Sequence, residues 1–197
     1  MVEDQNFLKV KLFFLSIIFF LIFQSTSFSQ NYTFQKLIEI DGPWGSSFIN
    51  NNELIFTEKS GKIKIINIDS REVSEIKHNL NYLVHGQGGL LDILFKNSFV
   101  YISYSENRGS GKSSTSIARA KFNKNELNFK NIFQAEPPIN SGYHFGSRLA
   151  IKGNHLFASA GERGEGMIAQ DPTKHPGSII RINLDGSIPK DNPKFTG

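Results

Sequence analysis

Three times along this chain a trio of short strand-like runs recurs, and that repetition limits the folds open to it. Trp44–Ile49, Glu53–Glu58 and Ile63–Ile68 make the first trio. Gly89–Phe95, Val100–Ser105 and Ser116–Phe122 make the second, and Arg148–Ile151, His155–Ala160 and Ser178–Asn183 the third. Lys62-Ile63-Lys64-Ile65 alternates charged and apolar side chains, the two-residue period of a half-buried strand. Asn50-Asn51-Asn52 and Ser60-Gly61-Lys62 supply turns between runs. In each trio the middle run ends at, or within two residues of, a glutamate, Glu58, Glu106 or Glu162, at separations of 48 and 56 residues. Repeats of about 40 to 50 residues with about four strands each describe the blades of a β-propeller. A sandwich of regular meanders is the alternative left open by the pattern alone. No long amphipathic helix is predicted, and the polar stretch Asn123–Lys130 reads as a loop or an edge strand. A propeller ring needs four or more blades. Three therefore predict the N-terminal part of a longer protein, with apolar blade faces left exposed.

Composition narrows the function classes. The 197 residues are 39% hydrophobic and 20% charged, as in a globular protein. Aromatics reach 12%, mostly the 18 phenylalanines, which suits pleated, half-buried surfaces. The net charge of +4 comes from scattered basic residues, without the clustered stripe of a nucleic-acid groove; no nucleic-acid partner is expected. The chain has no cysteine, which excludes disulfides, zinc ribbons and a thiol nucleophile.

At the N-terminus, Lys9 and Lys11 precede the apolar run Leu12–Phe23. Ser27 and Ser29 then stand at the −3 and −1 positions of a cleavage site before Gln30. This is the pattern of a secretory signal peptide over residues 1–29. The apolar run is too short to span roughly 30 Å of hydrocarbon. An exported protein, periplasmic or secreted, with no stable membrane span after cleavage is expected; an uncleaved anchor is the alternative.

Several local motifs carry less than they suggest. Gly109-Ser110-Gly111-Lys112-Ser113 lacks the first glycine of a phosphate loop, since Glu106 stands there, and strand-like sequence follows it. No G-x-S-x-G nucleophile elbow occurs. Asp185-Gly186 and Asp191-Asn192-Pro193 offer oxygen ligands, but without EF-hand spacing they read as turns. Two residues stand out. His144 lies between the loop Ser141-Gly142-Tyr143 and the first strand of the third trio, facing the channel side if the trios are blades. Histidine accepts a proton from a hydroxyl near neutral pH, although one beside Phe145 is more often structural. Gln87, within His85-Gly86-Gln87-Gly88-Gly89, takes the equivalent place before the second trio. Its amide both donates and accepts, and its glycines are expected to let backbone approach a flat ligand. Trp44 holds the same place in the first trio and reads as a packing residue.

Ordered blocks around these residues resemble the soluble quinoprotein glucose/sorbosone dehydrogenase family, in particular its aldose sugar dehydrogenase branch. They are Pro43-Trp44-Gly45 with Ile55-Phe56-Thr57-Glu58, Gly86-Gln87-Gly88-Gly89-Leu90-Leu91-Asp92 with Val100 to Glu106, and His144-Phe145-Gly146-Ser147-Arg148-Leu149 with Gly161-Glu162-Arg163-Gly164. Ala169-Gln170-Asp171 and the stretch Arg181 to Pro193 complete them. The resemblance implies a six-bladed propeller, of which residues 30–197 hold roughly the first three blades. It implies oxidation of an aldose to its lactone with pyrroloquinoline quinone (PQQ) and calcium, and an external electron acceptor. By the same resemblance His144 is the general base, hydride passes to the quinone, and Gln87 contacts the cofactor. Most cofactor and calcium ligands belong to the family's later blades, so no metal ligand is assigned in this chain, and the chain alone is expected to be inactive. His175-Pro176-Gly177-Ser178 departs from the family pattern, which has leucine and lysine in place of the proline and serine. A secreted propeller that binds a glycan or protein without redox chemistry is the alternative function.

Overall fold

Alternation along Lys62–Asn67 sends Ile63 and Ile65 into a core while the flanking lysines stay nearer solvent. The computed structural model, which describes residues 32–194, builds every sheet on that principle. The expected signal peptide, residues 1–29, lies outside the described residues. The first sheet is an antiparallel meander of β1 (Pro43–Phe48), β2 (Glu53–Glu58), β3 (Lys62–Asn67) and β4 (Val73–His78). The second comprises β5 (Leu90–Lys96), β6 (Phe99–Asn107), β7 (Ser113–Lys121) and β9 (Lys130–Gln134). Between the last two lies β8 (Glu126–Leu127), which runs parallel alongside β4 and so ties the second sheet to the rim of the first. The third sheet holds β10 (Gly146–Lys152), β11 (His155–Ala160) and β12 (Ile179–Asn183). One 3₁₀ turn, Gly166–Gln170, lies between β11 and β12. Among the described residues no helix is long and apolar enough to cross a membrane.

The three sheets are successive blades of a β-propeller, with β5 packed between β1 and β10. These three first strands share one irregularity. Their pairing with the next strand slips between Pro43 and Ser46, between Leu90 and Ile93, and between Gly146 and Leu149. A bulge at the same point of each strand adds local twist and re-aims the side chains beside it. It also corrects the repeat alignment drawn from sequence. Trp44 stands inside β1 in register with Leu91 and Ser147, so it does not occupy the place of Gln87 or His144. The Trp44 side chain is 38% exposed among the described residues.

Two cores fill the spaces between blades. Ile55, Ile63, Ile65 and Ile76 of the first blade meet Leu90, Ile93, Val100, Ile102 and Tyr104 of the second. Tyr101 and Ile117 of the second blade meet Leu149, Leu156 and Ile182 of the third. Neighbours on β6 point to opposite faces, so Tyr101 serves one core and Ile102 the other. This is why β6 is buried from Val100 to Ser105 without a break. Each fully buried Ile or Leu contributes about 1.5–3 kcal/mol relative to exposure.

The first two blades each contain a fourth strand beyond the trios read from sequence. In β4 only Ile76 is buried; an outer strand is held by its backbone ladder to β3 and needs little apolar signal. β9 begins at Lys130, where the sequence reads a loop or edge strand ending. The loop Gly109–Lys112 leads directly into β7, so no helix N-terminus follows the false phosphate loop. Large apolar side chains are exposed on the first and third blades, including Phe48 and Ile179.

Candidate active site

The segment entering β10 is wound in an unusual way. His144, Gly146 and Ser147 all have left-handed backbone angles, at φ +50°, +67° and +75°. For His and Ser this conformation is uncommon and survives only where surroundings fix it. The fixing groups are visible. The Phe145 carbonyl accepts hydrogen bonds from Gly161 N–H at 3.0 Å, Thr115 Oγ1 at 3.0 Å and Ser147 Oγ at 3.0 Å. Gly161 passes so close to His144 that a Cβ on it would lie 1.8 Å from the His144 carbonyl oxygen. Only glycine fits there.

Gln87 and His144, singled out separately in the sequence, are brought together. The His144 backbone N–H donates to Gln87 Oε1 at 2.8 Å, and the Gln87 N–H donates to the Gly142 carbonyl at 2.7 Å. The glycines around Gln87 permit close approach between segments of the chain itself. A Cβ on Gly86 would meet the Gly142 carbonyl oxygen at 2.5 Å, and one on Gly88 would meet the Phe145 ring at 2.9 Å. The space they leave is filled by the neighbouring blade, so their role is close approach between the two loops.

The His144 side chain is 54% exposed, and its Nδ1 is hydrogen-bonded to Glu162 Oε1. Glu162 also accepts from Gly164 N–H at 3.2 Å. The hydrogen bond from His144 is the main influence that holds the Glu162 carboxyl below its ordinary value. An ionised carboxylate only accepts, so in the neutral imidazole Nδ1 carries the proton and Nε2 keeps its lone pair. Nε2, which makes no hydrogen bond among the described residues, is thereby a proton acceptor of fixed tautomer. Glu162 is visible in the sequence as the glutamate of the third repeat, but its partnership with a residue 18 positions earlier is not.

Beneath this layer lies Asp92, 2% exposed in β5. Its Oδ2 accepts from Leu149 N–H at 2.8 Å, and its Oδ1 accepts from Ile93 N–H at 3.0 Å and Arg148 Nη1 at 3.3 Å. It anchors β10 to β5 at the bulge. A buried carboxylate that collects several N–H donors is stable, and it sets the height at which the His144 segment leaves the strand. This anchoring was not legible in the sequence, because two of the donors, Leu149 and Arg148, belong to another blade.

The groups present fit one edge of a planar polar ligand. Gln87 is exposed, and its amide NH₂ has no partner among the described residues. Metal chemistry is a different matter: among the described residues no three of His, Asp or Glu converge on a common point.

A family model described as Glucose / Sorbosone dehydrogenase matches residues 40–197. The chain is similar to the aldose sugar dehydrogenase YliI of Escherichia coli (strain K12), 30% identical over 165 residues that cover 79% of this chain and 44% of that protein. It is also similar to quinoprotein glucose dehydrogenase B of Acinetobacter calcoaceticus, 27% identical over 189 residues that cover 78% and 38% of the two chains. The crystal structure of the soluble aldose sugar dehydrogenase from Escherichia coli in the apo form superposes with a TM-score of 0.73 at 29% identity, covering 78% of this chain and 47% of that one. The chain thus spans less than half the length of these relatives, and three blades in that share agree with a ring of six.

Proposed function

The chain belongs to the glucose/sorbosone dehydrogenase family, and on that premise we propose that the protein oxidises an aldose sugar to its lactone with PQQ as the oxidising group. The observation that carries this reading is the half-exposed imidazole of His144, its tautomer set by Glu162, on a backbone held by the Gln87 oxygen while the Gln87 NH₂ keeps no partner among the described residues. His144 Nε2 takes the proton of the sugar's anomeric hydroxyl. The imidazolium that forms is stabilised by the Glu162 carboxylate at Nδ1, as an acid–base histidine requires. When bound, PQQ supplies the two-electron oxidising capacity, accepting the hydrogen on the anomeric carbon as hydride. Gln87 would hold the edge of the cofactor through its NH₂ while its oxygen keeps the His144 backbone in place. Loss of the hydroxyl proton and of the hydride leaves the anomeric carbon as the lactone carbonyl, so the reaction balances. The described residues do not form a calcium site, and no step is assigned to that ion here.

We further propose that the protein is exported and hands its electrons to an external acceptor. The motive for this is the leader pattern of residues 1–29; the absence of cysteine does not oppose it. The test is dye reduction by the full-length protein with aldoses, PQQ and calcium, alongside His144→Asn. The variant is expected to lose about 10²- to 10⁴-fold in turnover with PQQ still bound. Full turnover in the variant, or no aldose-dependent reduction by the natural protein, removes the reading.

A further inference from the structure

Arg163 follows Glu162 directly, and its side chain is spent on the loop that carries His144. It is 2% exposed. Its Nε donates to the Tyr143 carbonyl at 2.9 Å and its Nη1 to the Ser113 carbonyl at 2.9 Å. Its Nη2 donates to Ser113 Oγ at 3.0 Å and to the Ser141 carbonyl. Its Cζ sits 3.6 Å from the centroid of the Phe145 ring, within cation–π range. Among the described residues it makes no ion pair. Burial alone pulls it down to about 10, which leaves it charged at neutral pH.

Burying a cation without a carboxylate is costly. Here it is offset by Ser113 of β7 and by two carbonyls and a ring that flank one residue. Ser141 and Tyr143 precede His144; Phe145 follows it. Arg163 itself has φ +62°, a second strained residue facing the first. Glu162 and Arg163 thus grip His144 from both sides of its structure, one at the imidazole and the other through the backbone around it.

We propose that Arg163 is a positioning residue for the base: its guanidinium locks the Ser141–Phe145 loop in the left-handed turn that keeps the His144 imidazole on Glu162. A lysine cannot replace it, because one ammonium cannot reach Ser141, Tyr143 and Ser113 together. The inference rests on the reading of His144 as the base.

The test compares Arg163→Lys and His144→Asn in the full-length protein. Turnover and KM are followed with an aldose, and hydrogen exchange of the peptide covering residues 141–148 is followed without cofactor. For Arg163→Lys the expected result is faster exchange over 141–148, unchanged exchange in β6, and kcat lower by about 10- to 100-fold with KM within about threefold. Misplacement of a reacting group by about 1 Å is enough for such a loss. Unchanged exchange and kcat in that variant, with His144→Asn inactive, overturn the role of Arg163 alone. An active His144→Asn overturns the reading of the base, and the role of Arg163 in catalysis with it. If Arg163→Lys does not fold, Ser113→Ala removes one acceptor of the same guanidinium. It is expected to raise exchange over 141–148 by a smaller factor, and no change there overturns the proposal.

Discussion

The backbone N–H of His144 and the side-chain oxygen of Gln87 meet at 2.8 Å, which joins the segments that lead into the first strands of two different blades. One residue of the candidate site therefore fixes the backbone of the other. The two halves of the Gln87 amide have separable tasks, and that separation can be measured.

Gln87→Glu keeps an oxygen to accept from His144 but removes the NH₂. The melting temperature is expected to stay within a few degrees of the parent, while PQQ binding, read by titration, weakens by about tenfold, the worth of one hydrogen bond near a charged group. Gln87→Ala loses the acceptor too and gives up about 1 kcal/mol of stability. Equal PQQ affinity in parent and Gln87→Glu would confine Gln87 to its backbone contact.

Glu162→Gln removes the carboxylate that fixes the His144 tautomer. Turnover is expected to fall by up to about 10⁴-fold, as when the carboxylate that sets the tautomer of an acid–base histidine is replaced by its amide. The pH dependence has a definite sign. The folded-state carboxyl titrates below its ordinary value of 4.5, so its stabilising contribution is fully present above that value. It is lost as pH falls through the depressed value. Melting curves of parent and variant between pH 7 and pH 3 should converge at the acid end. A constant difference across the range would place the effect outside the Glu162–His144 pair.

Gly161→Ala tests the close approach beneath His144. Gly161 is not in the left-handed region, so the penalty is steric: a methyl would occupy the His144 carbonyl oxygen's position. Overpacking of this kind costs about 1–3 kcal/mol, to be read as a lower urea midpoint, and the displaced His144 should lower turnover as well. An unchanged midpoint means that the two segments are not in contact.

Asp92→Asn is isosteric but turns an amide NH₂ toward groups that themselves donate. With Leu149 N–H, Ile93 N–H and Arg148 competing for one remaining oxygen, a destabilisation of about 1–3 kcal/mol is expected in denaturant unfolding. A neutral result would show that Asp92 does not anchor β10 to β5.

The strand runs were legible because a short apolar stretch between turns meets a core. Glu53–Glu58 and His155–Ala160 appear with the bounds read from sequence, although burial alternates only in the second. β4 was not legible, since five of its six side chains are outside the core and its existence depends on β3. His144 and Gln87 were found as unusual residues within glycine-rich loops. Their mutual contact was hidden because 57 residues separate them. Arg163 entered the sequence reading only as part of the block Gly161–Gly164, with no role of its own; only the folded chain brings the carbonyls of Ser113, Ser141 and Tyr143 around it. The glycines near Gln87 were read as sites of close approach, and the Gly142 carbonyl and the Phe145 ring lie where their side chains would be.

The unbroken burial of β6, described above as a consequence of two cores, also sets the order in which the molecule loosens. A strand covered on both faces opens only with the whole fold, whereas outer strands such as β4 fray at little cost. The amides of Val100 to Ser105 should be the slowest to exchange in the chain. Thr115 and Ser113, which hold the His144 loop from below, stand on β7, hydrogen-bonded to that slowest strand. The proton acceptor thus has water in front of it and the least yielding part of the molecule behind it, so substrate exchange and local breathing need not be coupled.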